Sequence, residues 1–266
     1  MTGSLILAAG RGSRMKGYEG NKTLLPLVPH KSPLEGSRPI LMHILENLPL
    51  GPKALVVHHK KEDVIKATRS LKIMYVDQPV LNGTGGALLA ARDFVELESH
   101  DQLIITMGDI PLVRRVTYQN LIQALKSSPF VVLGFRPADK KQYGVLEFEG
   151  DRVKKIVEWK YWRSFPGKTQ EKLRICNSGI YATRKSHLLK YIPLLENRPH
   201  AVLKEKEEKL VEIEEFFITD LVELMYQDGL KVGCVLAQDE NEVMGVDDLP
   251  SLIKAQNLFK GSMLAL

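Results

Sequence analysis

The chain has 266 residues, and its 37 Lys and Arg against 32 Asp and Glu leave a formal net charge of +5. That length is enough to bury a sizeable core, in one large α/β domain or a domain with a small appendage. A hydrophobic share of 44% and a charged share of 26% exclude disordered, collagenous and low-complexity classes.

In chain order, short β-branched or apolar runs alternate with amphipathic stretches, the pattern of successive βα units around a mostly parallel sheet. Strands are expected at Ser4 to Ala9, Lys53 to His58, Lys72 to Val76, Gln102 to Met107 and Pro129 to Phe135. Helices are expected at Ile40 to Leu48, Glu62 to Leu71, Gly85 to Val95 and Val116 to Lys126. Beyond Phe135 the texture changes. Tyr143 to Phe148 and Arg152 to Val157 flank the turn Glu149-Gly150-Asp151, which predicts an antiparallel hairpin added to the sheet. Glu158 to Arg174 is basic, aromatic and irregular, and a strand follows at Arg174 to Ala182. Lys204 to Glu215 reads as a charge run, a solvated helix face or a mobile connector. Phe217 to Gln227 has helical periodicity, Leu230 to Ala237 is strand-like, and Leu249 to Phe259 forms a closing helix. There is no internal repeat.

Two cysteines, Cys176 and Cys234, stand far apart in sequence. Neither a disulfide framework nor a cysteine-rich zinc site is expected, and a reducing cytoplasm is the expected compartment. The first apolar run, in MTGSLILAAGRG, is too short for a secretory signal, and no apolar stretch has the length of a membrane span. Basic residues are scattered among acidic ones, outside Lys160 to Arg174. Neither nucleic acid nor a membrane is therefore expected as a partner, whereas a small polyanion suits the charge balance.

The first expected strand runs straight into Ala8-Ala9-Gly10-Arg11-Gly12-Ser13-Arg14-Met15. Small residues let backbone amides approach a phosphate closely. The loop lacks the third glycine of a dinucleotide fingerprint and the Gly-Lys-Ser/Thr of a P-loop. Arg11 and Arg14 within it, and Lys22 after it, supply the cations a triphosphate needs before a nucleophile can approach its α-phosphorus. Taken alone, the loop fits a phosphate nest and a solvated βα turn equally well.

Leu7-Ala8-Ala9-Gly10-Arg11-Gly12-Ser13-Arg14-Met15 with Lys22 resembles the signature of the sugar-phosphate nucleotidyltransferases, most of all the uridylyltransferase domain of the N-acetylglucosamine-1-phosphate enzymes. Ordered matches extend the resemblance along nearly the whole chain. They are Gln78 with Gly83-Thr84-Gly85, Gly108-Asp109-Ile110-Pro111-Leu112, Tyr143-Gly144, Val157-Glu158, Asn177-Ser178-Gly179-Ile180, Ile218-Thr219-Asp220 and Gly245-Val246-Asp247.

The resemblance implies one three-layer α/β/α domain over residues 1–266, with a mixed, mostly parallel sheet and a small β-rich sugar lobe. Residues 1–135 would bind the nucleotide, and 136–266 would bind the sugar and close the domain. It implies transfer of a nucleotidyl group from an NTP, UTP first and dTTP next, to a sugar 1-phosphate, with Mg²⁺ as cofactor. Arg14, Lys22 and Asp109 are the implied catalytic residues, and Asp109 with Asp247 the implied metal ligands. Leu7, Ala8, Ala9, Gly10, Gly12, Gln78, Gly83 and Thr84 are implied to hold the nucleotide. Gly144, Glu158, Asn177 and Thr219 are implied to line the sugar pocket.

Asp109 follows an apolar strand, where open α/β sheets place ligands, and a carboxylate there suits an oxygen-seeking ion. Helix capping is the competing role for Asp109, Asp247 and Asp248, and for Thr84. Asp247 stands where the N-acetylglucosamine enzymes usually carry Asn, Phe216-Phe217 replaces a tyrosine pair, and Met107 replaces a polar or aromatic residue.

A cytidylyltransferase acting on a phosphorylated alcohol, or a non-catalytic nucleotide-sugar-binding protein, is the alternative reading. His30, His43, His58 and His59 are read as structural or solvated, because neighbouring histidines on a strand point to opposite sides. Trp159, Tyr161 and Trp162, with Lys160 and Arg163, either stack on a ligand or cover a sheet edge. The chain ends without the hexapeptide repeats of an acetyltransferase domain, so a stand-alone nucleotidyltransferase is expected. A homo-oligomer is left open.

Overall fold

Alternate residues of the central strands feed two separate apolar cores, which is why the chain folds as a layered sandwich. The computed structural model describes residues 1–266 apart from Ser13, Lys16, Glu207, Glu208, Ala265 and Leu266. It begins with β1 (Thr2–Leu7), then a hairpin of β2 (Pro26–Ser32) and β3 (Glu35–Pro39), and α1 (Ile40–Asn47). Next come β4 (Lys53–Val57), α2 (Lys61–Thr68), β5 (Met74–Asp77), α3 (Gly83–Ala90), α4 (Arg92–Leu97) and β6 (Gln102–Met107). The middle of the chain holds α5 (Arg115–Ala124), β7 (Phe130–Phe135), β8 (Val145–Glu149), β9 (Arg152–Val157), α6 (Trp159–Trp162) and α7 (Gly167–Lys172). It closes with β10 (Cys176–Arg184), α8 (Lys185–Glu196), β11 (His200–Lys206), β12 (Lys209–Glu215), α9 (Asp220–Gln227), β13 (Val232–Leu236) and α10 (Leu249–Leu264).

The main sheet has nine strands, in the order β13-β7-β10-β6-β1-β4-β5, with β8 paired to β10 and β9 to β8. Along that order every strand runs one way except β10, which is antiparallel to both β6 and β7. On one face Ile6, Leu55, Val57 and Ile104 pack with α1, α5 and α10, through Leu41, Leu121 and Leu252. On the other, Leu5, Val56, Leu103 and Ile105 pack with α3, α4, α8 and α9, through Leu88, Phe94, Leu188 and Leu221. The period-2 alternation of the strands thus builds the expected mixed, mostly parallel α/β/α sandwich, and β8–β9 is its expected antiparallel extension.

Five parts of the fold differ from expectation. The helix expected over Gly85 to Val95 is two helices, α3 and α4, which meet at Ala91. The hairpin β2–β3 and the helix α8 went unread, although Leu188, Tyr191, Ile192 and Leu195 of α8 are buried at helical spacing. The irregular stretch after Glu158 contains the short helices α6 and α7.

The largest change is at Lys204 to Glu215. In place of a helix face or connector there is a strand pair, β11–β12, in register from His200↔Glu215 to Lys206↔Lys209. Val211 and Ile213 alternate with Glu212 and Glu214, a strand period that the density of charge concealed. The expectation also covered Glu207 and Glu208, which lie outside the described residues. Among the described residues, no helix is long and apolar enough to cross a membrane.

Candidate active site

The parallel strands β1, β4, β5 and β6 end side by side, and a cavity of about 780 Å³ opens over their C-terminal ends, a volume within the range of small-ligand pockets. Leu7, Ala8, Ala9, Gly10 and Gly12, with Arg11 and Arg14, form one wall. Ala8 N–H donates to the Val56 carbonyl at 2.9 Å, and Gly108 N–H donates to the Leu7 carbonyl at 2.9 Å. The start of the glycine loop is therefore pinned to the strands on both sides. Gly12 takes φ +63°, a left-handed conformation that favours glycine, beneath the Lys22 side chain.

Lys22 gathers the charges of the site. Its Nζ donates to Asp109 Oδ2 and, at 3.1 Å, to Asp247 Oδ1. Arg14 reaches the same Asp247 oxygen at 3.0 Å. The Lys22 side chain is only 12% exposed against 70% for Arg14, so the lysine is built in while the arginine stands at the mouth. Burial works against the Lys22 ammonium, but Asp109 and Asp247 outweigh it and hold its pKa above the ordinary lysine value.

Two features set Asp247 beside Asp109. Val246 N–H donates to the Asp109 carbonyl at 2.8 Å. Upstream, the buried Glu242 accepts from Arg114 N–H and the Arg114 guanidinium, both at 3.0 Å, and from the Thr117 hydroxyl. Asp248 takes the other role expected for this pair. Its Oδ1 accepts from Ser251 N–H at 2.9 Å and its carbonyl from Leu252 N–H at 3.0 Å, so it caps α10.

The residues present fit an oxygen-seeking cation. Asp109 and Asp247 already converge on one positive charge, Lys22 Nζ. Both are hard carboxylate donors, as Mg²⁺ prefers, and an ion that keeps water and phosphate oxygens needs no more than one or two of them. Among the described residues, no group of three or more His, Cys, Asp or Glu is placed to hold a metal.

The opposite wall is built around Gln78. This buried side chain donates through Nε2 to Asn82 Oδ1 at 3.1 Å and to the Gly83 carbonyl at 3.2 Å, which fixes it against the turn that opens α3. The turn is stitched to the end of β12. Phe216 N–H donates to the Asn82 carbonyl at 2.8 Å, and Gly85 N–H donates to the Phe216 carbonyl at 2.7 Å. A Cβ on Gly85 would stand 2.6 Å from the Phe216 carbonyl carbon, so only glycine permits this seam. Thr84 does not cap with its side chain; its hydroxyl accepts from Ile218 N–H at 3.3 Å.

Gly144, Glu158, Asn177 and Thr219 are brought together with one another, beside the cavity rather than on its wall. Asn177 N–H donates to the Gly144 carbonyl at 2.8 Å, and a Cβ on Gly144 would lie 3.3 Å from Glu158 Oε2. Thr219 Oγ1 donates to Glu158 Oε1 at 3.3 Å. Burial raises the Glu158 pKa, with the Thr219 bond opposing it. Met107 lines the cavity, and its Cε would lie 3.1 Å from a Cβ on Gly179, whose N–H donates to Asn177 Oδ1 at 3.1 Å. The aromatic stretch divides by residue. Trp162 is buried over the sheet with Nε1 donating to the Tyr143 carbonyl at 2.8 Å, Arg163 lies over Trp159, and Tyr161 is exposed.

Sequence reasoning missed eight cavity residues, among them Pro79, Val80, Leu81 and Ala87 around the Gln78 turn. His58, read as structural or solvated, lines the wall at the end of β4, where its strand-end position was the available signal. Thr23 lines it beside Lys22. Ile213 and Glu215 line it from β12, and the strand period of that segment was their signal.

This chain, with a glycine turn after its first strand and a lysine held between two carboxylates, belongs to the nucleotidyltransferase class. Within it, the MobA-like NTP transferase domain matches residues 4–171, and the chain belongs to that family. The bifunctional protein GlmU of Rhodopseudomonas palustris is 32% identical over 260 residues, covering 95% of this chain and 51% of the relative. GlmU of Campylobacter lari is 30% identical over 262 residues, covering 96% and 53%. The chain spans about half the length of the curated relatives it matches.

Two solved structures share the fold. A nucleotidyl transferase from Methanothermobacter thermautotroptrophicus matches with a TM-score of 0.62 at 19% identity, over 98% of this chain and 99% of the other. A provisionally named glucose-1-phosphate thymidylyltransferase from Bacillus anthracis, in complex with sucrose, matches with a TM-score of 0.68 at 20% identity, over 97% and 95%.

Proposed function

We propose that this chain transfers a nucleotidyl group from a nucleoside triphosphate, UTP first and dTTP next, to a sugar 1-phosphate in the cytoplasm, releasing pyrophosphate. The observation that carries the reading is the convergence of Lys22 on Asp109 and Asp247 at a cavity walled by the glycine loop and by Gln78, Gly83 and Thr84. Cations and a carboxylate pair together are what a triphosphate bound with a divalent ion requires.

An oxygen of the sugar phosphate attacks the α-phosphorus in line, the bond to the bridging oxygen of the β-phosphate breaks, and pyrophosphate leaves with that electron pair. The nucleophile is already an anion, so no protein base is needed. Arg14 and Lys22 offset charge on the triphosphate, and the amides after Leu7 cradle its oxygens. The rigid seating of Lys22 between two carboxylates makes this an electrostatic arrangement set before substrate arrives. Asp109 and Asp247 would hold Mg²⁺, which supplies charge shielding across the phosphates when bound. Gln78 and the 83–85 turn present amide groups to a pyrimidine edge, and Gly144, Glu158, Asn177 and Thr219 present theirs to sugar hydroxyls.

The test is a pyrophosphate-release screen of UTP, dTTP, CTP, ATP and GTP against a panel of sugar 1-phosphates and phosphocholine with Mg²⁺. Turnover with a uridine or thymidine nucleotide and a sugar 1-phosphate, abolished by Asp109→Ala, supports the reading. Turnover confined to CTP and phosphocholine, or nucleotide-sugar binding without any turnover, overturns it.

A further inference from the structure

Resting on that reading, we infer that the hairpin β11–β12 is the wall that holds the nucleoside of the incoming triphosphate, and that Ile213 is the side chain that touches it. The hairpin lies outside residues 4–171, the part matched to the family. Nothing in the family signature assigns it a role.

Its two faces differ in kind. Ile213 and Glu215 of β12 line the cavity, while Glu212 and Glu214, which alternate with them, are exposed. Directly opposed residues of an antiparallel pair share a face, so Val202, opposite Ile213, belongs to the inward side. Ala201 and Leu203, opposite Glu214 and Glu212, belong to the outward side, and Leu203 is 63% exposed. The ribbon therefore turns the aliphatic pair Val202 and Ile213 inward together with the carboxylate of Glu215, and Glu212 and Glu214 outward with Ala201 and Leu203.

The place of Ile213 in the cavity follows from how the hairpin is rooted. Its C-terminal root is the seam of Phe216 with Asn82 and Gly85, and β12 packs against α3, whose first turn holds Gly83 and Thr84. Its N-terminal root is His200, whose Nε2 lies 2.7 Å from Asp220 Oδ2 and whose ring meets Phe217 edge-on. Ile213 is thereby placed on the side of Gln78 and the 83–85 turn, to which the end of β12 is hydrogen-bonded. That same side carries Pro79, Val80 and Leu81, and Val80 is 61% exposed although apolar. The cavity thus has a cationic wall at the glycine loop and, on this side, aliphatic side chains together with the carboxylate of Glu215. A nucleoside triphosphate has the same division, a polyanion joined to a base and ribose with apolar faces. Seating the phosphates on the glycine loop brings the nucleoside between Val80 and Ile213.

Calorimetric titration of the full chain with UTP, and separately with inorganic triphosphate, tests this without relying on turnover. Ile213→Ala is expected to weaken UTP binding about tenfold, the loss of a little under two buried methylene equivalents, and to leave inorganic triphosphate within about twofold. Ile213→Leu is expected to restore UTP affinity. Ile213→Thr, which keeps the β-branched shape a strand prefers, is expected to show the same selective loss if the alanine variant folds poorly. Unchanged UTP binding in both variants overturns the inference, as does an equal loss for UTP and inorganic triphosphate. If the native chain binds no NTP more tightly than inorganic triphosphate, the nucleotidyl-transfer reading falls first. That outcome is visible in the native titration alone.

Discussion

The Lys22 centre and the β11–β12 wall border one cavity but are held in opposite ways. Asp109 follows a strand buried between two neighbours, and the hydrogen bonds of Gly108 to Leu7 and of Ala8 to Val56 tie the strand ends to one another. The wall is a two-stranded ribbon outside the main sheet, attached at Phe216 and His200. Charge-stabilising groups gain from such fixed placement, since reorganisation at the moment of reaction costs rate. An apolar contact needs only area and shape, so a peripheral ribbon is sufficient for it.

Substitutions that separate the two regions sharpen the contrast. The largest effect is expected at the centre: Lys22→Ala should lower pyrophosphate release by on the order of a thousandfold, and it should also leave Asp109 and Asp247 facing each other without their shared cation. Gly85→Ala strikes the root of the wall, where the new Cβ meets the Phe216 carbonyl carbon. It should raise KM for the nucleotide about tenfold, with kcat changed far less. Equal falls in kcat for both variants would erase the distinction between centre and wall.

Two further changes act through stability. Glu242→Ala removes the acceptor that ties the segment carrying Asp247 to the start of α5. It should cost about 2 kcal/mol, read as a lower melting temperature. Asp248→Ala removes the cap of α10 and should cost about 1 kcal/mol. Because the Ser251 hydroxyl and amide hold the Asp248 carboxyl below its ordinary pKa, this stabilisation is complete above the unfolded value near pH 4. It is lost as pH falls through the lower folded value. Asp248→Asn should flatten that acid limb of the unfolding curve. The smallest effect is expected at Leu203→Ser on the outward face, within about 0.5 kcal/mol in stability and with nucleotide affinity unchanged by titration.

Much of the sheet was legible because its strands alternate between two cores: Leu5 and Ile6, or Val56 and Val57, face opposite layers. The glycine loop and Asp109 were legible because they lie at strand ends, where the sequence pattern passes from apolar to small or acidic. Three things were not. Asp247 and Asp248 are adjacent carboxylates that the residues alone leave equivalent; Asp247 is named from the resemblance, and the bond of Val246 to Asp109 and the Ser251 cap set which one faces Lys22. His58 is one of two neighbouring histidines just past the end of β4, and nothing in the residue pair itself tells which of them lines the cavity. The β11–β12 wall hides its period of two under a dense run of Lys and Glu, so its inward Ile213 shows only once Val202 is set opposite it.

The adjacent aspartates provide the most direct test of the account. Pyrophosphate release from UTP and a sugar 1-phosphate, at saturating Mg²⁺ and below the melting temperature of each variant, should fall at least about a hundredfold in Asp247→Ala. Asp248→Ala should keep the native rate. Equal activity in the two variants would contradict a centre built from Lys22, Asp109 and Asp247.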